Sequence, residues 1–356
     1  MKSWIHLAGA LIICALGGFA FTLVNAPAPW LAGSMLATLP LLAAGARFEI
    51  PSILRDAVFL LLGTQIGAAV NWETVAGMGR WPLSLVFLAL TVTAIVVSGM
   101  AFFRRTQGWD EATAFFAAVP GALSLVLMVA NQSGADMPRV TVVQSFRLVF
   151  LVAALPLLIT GLGPLGFGAG AGAEGVHPSL VQASGALDTL LAIAAGAALG
   201  SLFAWARVPA GLMLGAAFAN GVLHLLGIVS GALPPGLLTP AYVVLGAAIG
   251  DRFARVRAVD IMATLWVGFG GFLLSLAIAL VGALAASRIA GVPLAYALVA
   301  FAPGGLEAMS ALGIALGLDP AYVGVHQIAR YLGLSIALPV ITGLFARHWL
   351  RGESRD

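Results

Sequence analysis

Residues with ionisable or amide side chains recur at fixed spacing inside apolar stretches of this chain. The strongest group begins with Pro303, Gly304, Gly305 and Glu307 and continues with Asp319, His326, Gln327 and Arg330. The last three are spaced by helical steps, which places them near one helix face. Ionisable side chains in apolar surroundings are costly and usually face a cavity or a partner. The group therefore predicts a substrate-binding or gating site.

A weaker copy of this group lies 183 residues earlier. It consists of Pro120, Gly121, Ser124, Gln144 and Arg147, and Asp136 stands in the place of Asp319. The earlier copy has Ser124 where the later one has Glu307, and Val143 where it has His326. The two half-sites are therefore predicted not to be equivalent.

Each charged residue of the two groups has a structural and a functional interpretation. Arg330 could pair with Glu307, either to pin a hairpin or to gate a substrate or proton site. Arg147 could bond hairpin carbonyls or Asp136, or it could bind the anionic group of a substrate. His326 fits a hydrogen-bonded packing role better than a proton relay. Asp136 and Asp319 are expected to cap the helices that follow them.

The elements that carry these residues must lie in lipid. Charged residues make up 9% of the 356 residues and hydrophobic residues 61%, whereas soluble domains carry about 25% charged residues. The single cysteine excludes a disulfide framework within one chain. The five histidines lack the close helical spacing of a metal site, so neither a metal nor a cofactor is expected.

The recurrence at 183 residues predicts a duplicated chain. Residues 1–162 form the first membrane repeat, 163–179 a glycine-rich linker, and 180–356 the second membrane repeat. The N-terminal apolar run is expected to be retained rather than cleaved as a signal peptide, because it recurs in the second copy. Gly63 with Gly67, and Gly246 with Gly250, are spaced for close helix packing.

Each copy offers six apolar runs, and the fifth contains the Pro-Gly motif. If every run crosses the bilayer, lysine and arginine divide nine inside against six outside. If the fifth run re-enters, they divide thirteen against two, which the positive-inside rule prefers. A variant in which the fifth run is a broken crossing helix and another run re-enters stays open.

We therefore predict an all-α integral membrane protein with two homologous inverted-topology repeats. Each repeat has about five transmembrane helices plus one re-entrant or broken Pro-Gly helix. The chain is expected to cross the cell inner membrane several times, with both termini in the cytoplasm.

The paired Pro-Gly-x-Leu segments, the aspartate that follows, and the Gln-x-x-Arg helix ending in proline resemble the AbrB family of membrane proteins. The resemblance covers nearly the whole chain, and it points to Pro303, Gly304, Glu307, Asp319, His326 and Arg330 as motif positions. Members of this family are labelled as ammonia monooxygenases or as regulators of gene expression.

Three functions follow for comparison. A secondary transporter of a small solute, for which the arginines suggest an anion, agrees with inverted repeats and broken helices. Indirect regulation of gene expression is the alternative.

The three arginines at 252, 255 and 257 are too few to predict a nucleic-acid partner. Monooxygenase chemistry needs clustered ligands, and His326 with Glu307 is too small a set, so no enzyme is predicted. The oligomeric state stays open, with a homo-oligomer allowed.

Overall fold

The computed structural model describes residues 2–46, 48–121, 123–162, 182–255 and 258–352, and its regular elements there are helices with one isolated β-bridge. The helices of the first half are α1 (Lys2–Leu23), α2 (Pro29–Ala43), α3 (Ser52–Ala68), α4 (Trp72–Gly77), α5 (Trp81–Gln107), α6 (Glu111–Ala118), α7 (Leu123–Gln132) and α8 (Met137–Leu162). Those of the second half are α9 (Ala186–Trp205), α10 (Gly211–Leu225), α11 (Pro235–Asp251), α12 (Ala258–Ala290), α13 (Leu294–Phe301), α14 (Leu306–Ala315) and α15 (Pro320–Gly352). Short 3-10 turns cover Met78–Arg80 and Arg252–Arg255.

Six of these helices are long and apolar enough to cross a membrane, which confirms an integral membrane protein of the helical class. They lie in α1, α5, α8, α9, α12 and α15. Helix α8 occupies the centre, since 72% of its apolar window is buried, against 28% or less for each of the others. The other five therefore turn most of their apolar surface outward, as helices facing lipid do.

The chain between α5 and α8 is a helical hairpin whose first and last residues lie close together. Asp110 caps α6 by accepting from the Thr113 N–H at 2.8 Å. The N–H of Asp136, just before α8, donates to the Thr113 hydroxyl at 2.8 Å. The far end of α6 lies instead beside Gln144 and Arg147, well along α8. Helix α6 therefore runs alongside the first turns of α8, and α7 returns in the opposite direction.

The second half has a matching hairpin made of α13 and α14. Tyr296, in the first turn of α13, and Asp319, just before α15, lie close enough to interact electrostatically. The far end of α13 lies beside Gln327 and Arg330, again well along the following helix. This hairpin also returns to the end from which it started.

Glycines allow helices of one half to pack closely against helices of the other half. A Cβ atom built on Gly63 would lie 2.9 Å from Cβ of Ala216, and one on Gly67 would lie 2.6 Å from Cβ of Asn220. The same positions in α11 face α2, where Gly246 approaches Ser34 and Gly250 approaches Thr38. Close helix packing is therefore confirmed for both glycine pairs. In each contact the residue numbers rise together, so α3 is parallel to α10 and α11 is parallel to α2.

Candidate functional site

Two prolines deprive the hairpin helices of a donor at their inner ends. In a helix the carbonyl of residue i accepts from the N–H of residue i+4. For Phe116 that donor would come from Pro120, and for Val299 it would come from Pro303, and proline has no N–H. Both carbonyls lie in the buried interior, where an unbonded backbone oxygen is expensive. A substitute donor is therefore required in each half.

Two glutamines supply the missing donors. Nε2 of Gln144 donates to the carbonyls of Phe116 and Val119, each at 2.8 Å. Nε2 of Gln327 donates to the carbonyl of Val299 at 2.8 Å and to that of Ala300 at 3.1 Å. Both glutamines are almost fully buried. Each amide therefore takes the place of the proline N–H that the hairpin lacks.

The arginine three residues after each glutamine bonds the remaining carbonyls. Arg147 donates to the carbonyl of Ala118 at 3.3 Å and to that of Val119 at 2.8 Å, and its guanidinium also bonds Oε1 of Gln144. These are the last carbonyls of a helix, where the helix dipole favours a cation. Of the interpretations considered for Arg147, the geometry matches the bond to hairpin carbonyls. Asp136 instead pairs with Arg139 at 3.1 Å.

Arg330 repeats this arrangement in the second half. It donates to the carbonyls of Ala302 and Gly304 and to Oε1 of Gln327. We call each glutamine–arginine pair, Gln144 with Arg147 and Gln327 with Arg330, a carbonyl clamp. The clamp explains why the Gln-x-x-Arg spacing occurs in both halves, since one helical turn brings both side chains to the same carbonyl cluster.

The two hairpin tips meet at the centre of the molecule. Gly121 has a φ of 86°, a left-handed conformation that glycine adopts without strain. A Cβ atom there would lie 3.2 Å from the carbonyl oxygen of Gly304 and 3.5 Å from Nε of Arg330. A cavity of about 20 Å³ lies between the tips, and nine residues line it: Gly121, Gln144, Arg147, Leu148, Arg252, Pro303, Gly304, Gly305 and Glu307.

Glu307 pairs with a residue outside the predicted site. Its Oε1 accepts from Nη2 of Arg252 at 3.0 Å, and both side chains are mostly buried. The expected pairing of Glu307 with Arg330 is therefore replaced by Glu307 with Arg252. The sequence pattern predicts no site role for Arg252, which is one of the three arginines at 252, 255 and 257. The 183-residue offset could have indicated this pair, because Ala69 occupies the position of Arg252 and Ser124 the position of Glu307. Both charges occur in the second half alone.

The structure brings most of the predicted residues together at the tips and clamps, and it gives Asp319 and His326 other partners. Asp319 caps α15, since its Oδ1 accepts from the N–H groups of Ala321 and Tyr322. Asp136 caps α8 in the same way, so the capping role is confirmed for both. His326 is fully buried. Its Nε2 bonds the Ser84 hydroxyl and its Nδ1 the Tyr322 carbonyl, each at 2.8 Å.

Ser124 lies in the first turn of α7, and its side chain is outside the described part of the chain. The predicted linker 163–179 also lies outside the described residues. Among the residues the structure describes, no group of three histidine, cysteine, aspartate or glutamate side chains could hold a metal ion.

Comparison with known proteins identifies the family. Residues 30–346 match the family model described as "Transition state regulatory protein AbrB". The chain belongs to the AbrB family. It is 25% identical to "Uncharacterized protein YhjN" of Bacillus subtilis (strain 168), over 97% of this chain and 94% of that one. It is also 25% identical to "Putative regulator AbrB" of Escherichia coli (strain K12), over 93% of each chain. The AbrB match spans both hairpins and both carbonyl clamps.

Proposed function

We propose that this AbrB-family protein is a secondary carrier of a small anionic solute and not an enzyme. The binding position is the cavity between the two hairpin tips. The observation that carries the proposal is the meeting of two Pro-Gly tips at a cavity lined by Arg147 and Arg252, with Arg330 beside it. Broken helical elements that meet near the middle of the bilayer are typical of secondary carriers.

The fold class that underlies this proposal is a pair of inverted repeats. Helices α3, α7 and α8 begin at residues 52, 123 and 137, and α11, α14 and α15 each begin 183 residues later, at 235, 306 and 320. The parallel packing of α3 with α10 supports inversion. If each half crossed the membrane six times, α10 would have the orientation of α2 and would be antiparallel to α3. Five crossings per half reverse the second copy and make the two helices parallel.

The depth of the hairpins supports re-entry rather than a broken crossing. Helix α6 and helix α13 have eight residues each, which span about 12 Å at 1.5 Å per residue. The hydrocarbon core is roughly 30 Å thick, so each hairpin reaches near the middle and returns. In inverted repeats the two hairpins enter from opposite faces, and their tips meet there. Ten crossings then leave both termini on one side of the inner membrane, and the arginine distribution favours the cytoplasmic side.

The charges around the cavity favour an anion. Glu307 and Arg252 neutralise each other, which leaves the guanidinium groups of Arg147 and Arg330. The carbonyl ends of α6 and α13 contribute roughly −0.5 charge each, and the amide ends of α7 and α14 roughly +0.5 each. The sum is about +2. A solute that carries one or two negative charges offsets this excess, whereas a cation would increase the repulsion.

The size of the cavity indicates a closed state. A volume of about 20 Å³ accommodates roughly one water molecule and no larger solute. Binding therefore requires the tips to separate, and Gly121 with Gly304 lies directly at the contact. Because the hairpins enter from opposite faces, movement of one tip at a time would open the cavity to one side and then to the other.

The test is an anion screen on the full chain reconstituted in vesicles, read as thermal stabilisation and as uptake. Arg252→Gln removes one cavity charge without touching a carbonyl clamp, so we expect it to weaken both readouts. Arg139→Gln is the matched control, because Arg139 also pairs with a carboxylate but lies at the surface. If an anion is transported equally well by both variants, the solute does not bind between the tips.

The names of the family and of its E. coli relative favour indirect regulation as a second candidate. A membrane protein can alter gene expression by changing the concentration of a solute or by holding a partner. Complementation of a deletion strain with Arg252→Gln separates these routes once that variant is known to lack uptake. Restored regulation without uptake would favour the partner route.

A further inference from the structure

The two halves differ along one helix seam. On one side α8 packs against α12 through aromatic rings, and the Phe150 ring lies 5.9 Å from that of Phe146 and 5.3 Å from that of Phe272. The equivalent seam is formed by α15 and α5. The 183-residue offset places Ala329 opposite Phe146 and Gly333 opposite Phe150. The second seam therefore lacks two large side chains.

A groove of about 470 Å³ occupies this second seam. Helices α5 and α15 form its walls, and Phe115 and Val119 of the first hairpin line it as well. Val97 on its lining is 62% exposed, so the groove opens at the outer surface of the bundle. Cavities that bind small molecules have volumes of about 300–1,000 Å³. The groove is thus large enough for a ligand, unlike the cavity between the tips.

The groove is apolar except at Thr93 and Arg330. The Thr93 hydroxyl bonds the carbonyl of Ala89 in its own helix. Arg330 uses three of its five N–H groups on Ala302, Gly304 and Gln327. Among the described residues that line the groove, Arg330 is the one charged residue, and it is buried. The lining of this apolar groove therefore includes one buried cation.

We propose that this groove binds a single-chain amphipathic carboxylate from the bilayer, of the fatty-acid type. Its acyl chain lies between α5 and α15, and its carboxylate accepts from Arg330. A carboxylate offsets the buried charge of Arg330, whereas an apolar helix of a second copy would leave that charge uncompensated. The proposal concerns binding only, and it holds whether or not the protein is a carrier.

The test uses the full chain in phosphatidylcholine nanodiscs with a palmitic acid that bears a terminal diazirine. The matching diazirine hexadecanol has the same chain without the charge. Photolabelled peptides are identified by mass spectrometry, with unlabelled palmitate as competitor. We expect saturable labelling of α5 and α15 by the acid, exceeding the alcohol by about tenfold or more, as for one hydrogen bond to a charged group.

Gly333→Phe introduces the residue that the closed seam carries, and we expect it to abolish the labelling. Ile336→Phe is the matched control, because Ile336 lies on the same helix and is 71% exposed. Equal labelling by acid and alcohol overturns the proposal, and that arm needs only the native chain. Undiminished labelling of a folded Gly333→Phe protein also overturns it, as do crosslinks that join two copies through the groove.

Discussion

Replacing Gln144 by leucine tests the idea that this amide stands in for a proline N–H. The leucine side chain is of similar size but donates nothing, so the Phe116 carbonyl loses its donor while Pro120 still cannot provide one. The Val119 carbonyl keeps its bond from Arg147 at 2.8 Å. The variant therefore removes the amide donor from one buried carbonyl and removes Oε1 as an acceptor for Arg147.

The expected cost follows from these lost partners. Removing the amide donor from a buried carbonyl costs about 1–3 kcal/mol, and losing a hydrogen bond to a charged group costs about 1.5–3 kcal/mol more. The hairpin should open more often, so we expect amide hydrogen exchange over residues 111–121 to quicken roughly tenfold or more, at about 1.4 kcal/mol per tenfold. Gln132→Leu is the control, because Gln132 is exposed at the end of α7.

A double-mutant cycle isolates the role of the proline. Pro120→Ala restores an N–H at that position and frees Val119 from the extended conformation that a following proline favours. The Phe116 carbonyl can then accept from its own helix. Gln144→Leu should therefore accelerate exchange less in the Pro120→Ala background than in the native one. Equal effects in both backgrounds, or no effect in the native one, would refute the substitution of amide for proline N–H.

Three further predictions test the packing, the ion pair and the hairpin topology. Gly246→Ala should destabilise the protein by about 1–3 kcal/mol, because the new Cβ meets the Leu31 carbonyl at 2.6 Å. The melting temperature in detergent measures this effect. Gly9→Ala is the control and should not lower the melting temperature, because Gly9 has open space around it. Glu307→Gln and Arg252→Gln should each lower the free energy of unfolding, and the double variant should lower it by less than the sum of the two. A double-mutant cycle by chemical denaturation measures this, and strict additivity would show that the pair is not coupled. In a Cys14→Ala background, Thr106→Cys and Asn131→Cys should react with an impermeant maleimide from the same side, and labelling from opposite sides would contradict the hairpin.

The sequence predicted the membrane class, the Pro-Gly breaks and the residues at the tips, because each depends on local chemistry. Apolar runs of sufficient length require lipid, and a proline followed by glycine ends a helix wherever it stands. The capping roles of Asp136 and Asp319 followed from position alone. These features needed no knowledge of which helices are neighbours.

The partners of the charged residues could not be predicted in the same way. Arg252 and Glu307 are 55 residues apart in the chain, and only the tertiary arrangement brings their side chains to 3.0 Å. His326 lies one residue from Gln327, yet the turn of the helix directs it to Ser84, more than two hundred residues away in the chain. A shared helix face was too coarse a criterion, because one residue step rotates a side chain by about 100°.

The duplication separates structural residues from candidate functional ones. Both halves keep the proline, the glutamine and the arginine, and in both these residues solve the same backbone problem at a helix end. Four residues of the second half differ in type from their counterparts in the first half. Arg252 and Glu307 form the ion pair, and Ala329 and Gly333 line the groove. A backbone requirement should recur in each copy, since each copy folds the same hairpin. Selectivity for a solute or a lipid has no such need, so the differences between the halves are the better guide to function than the motif that they share.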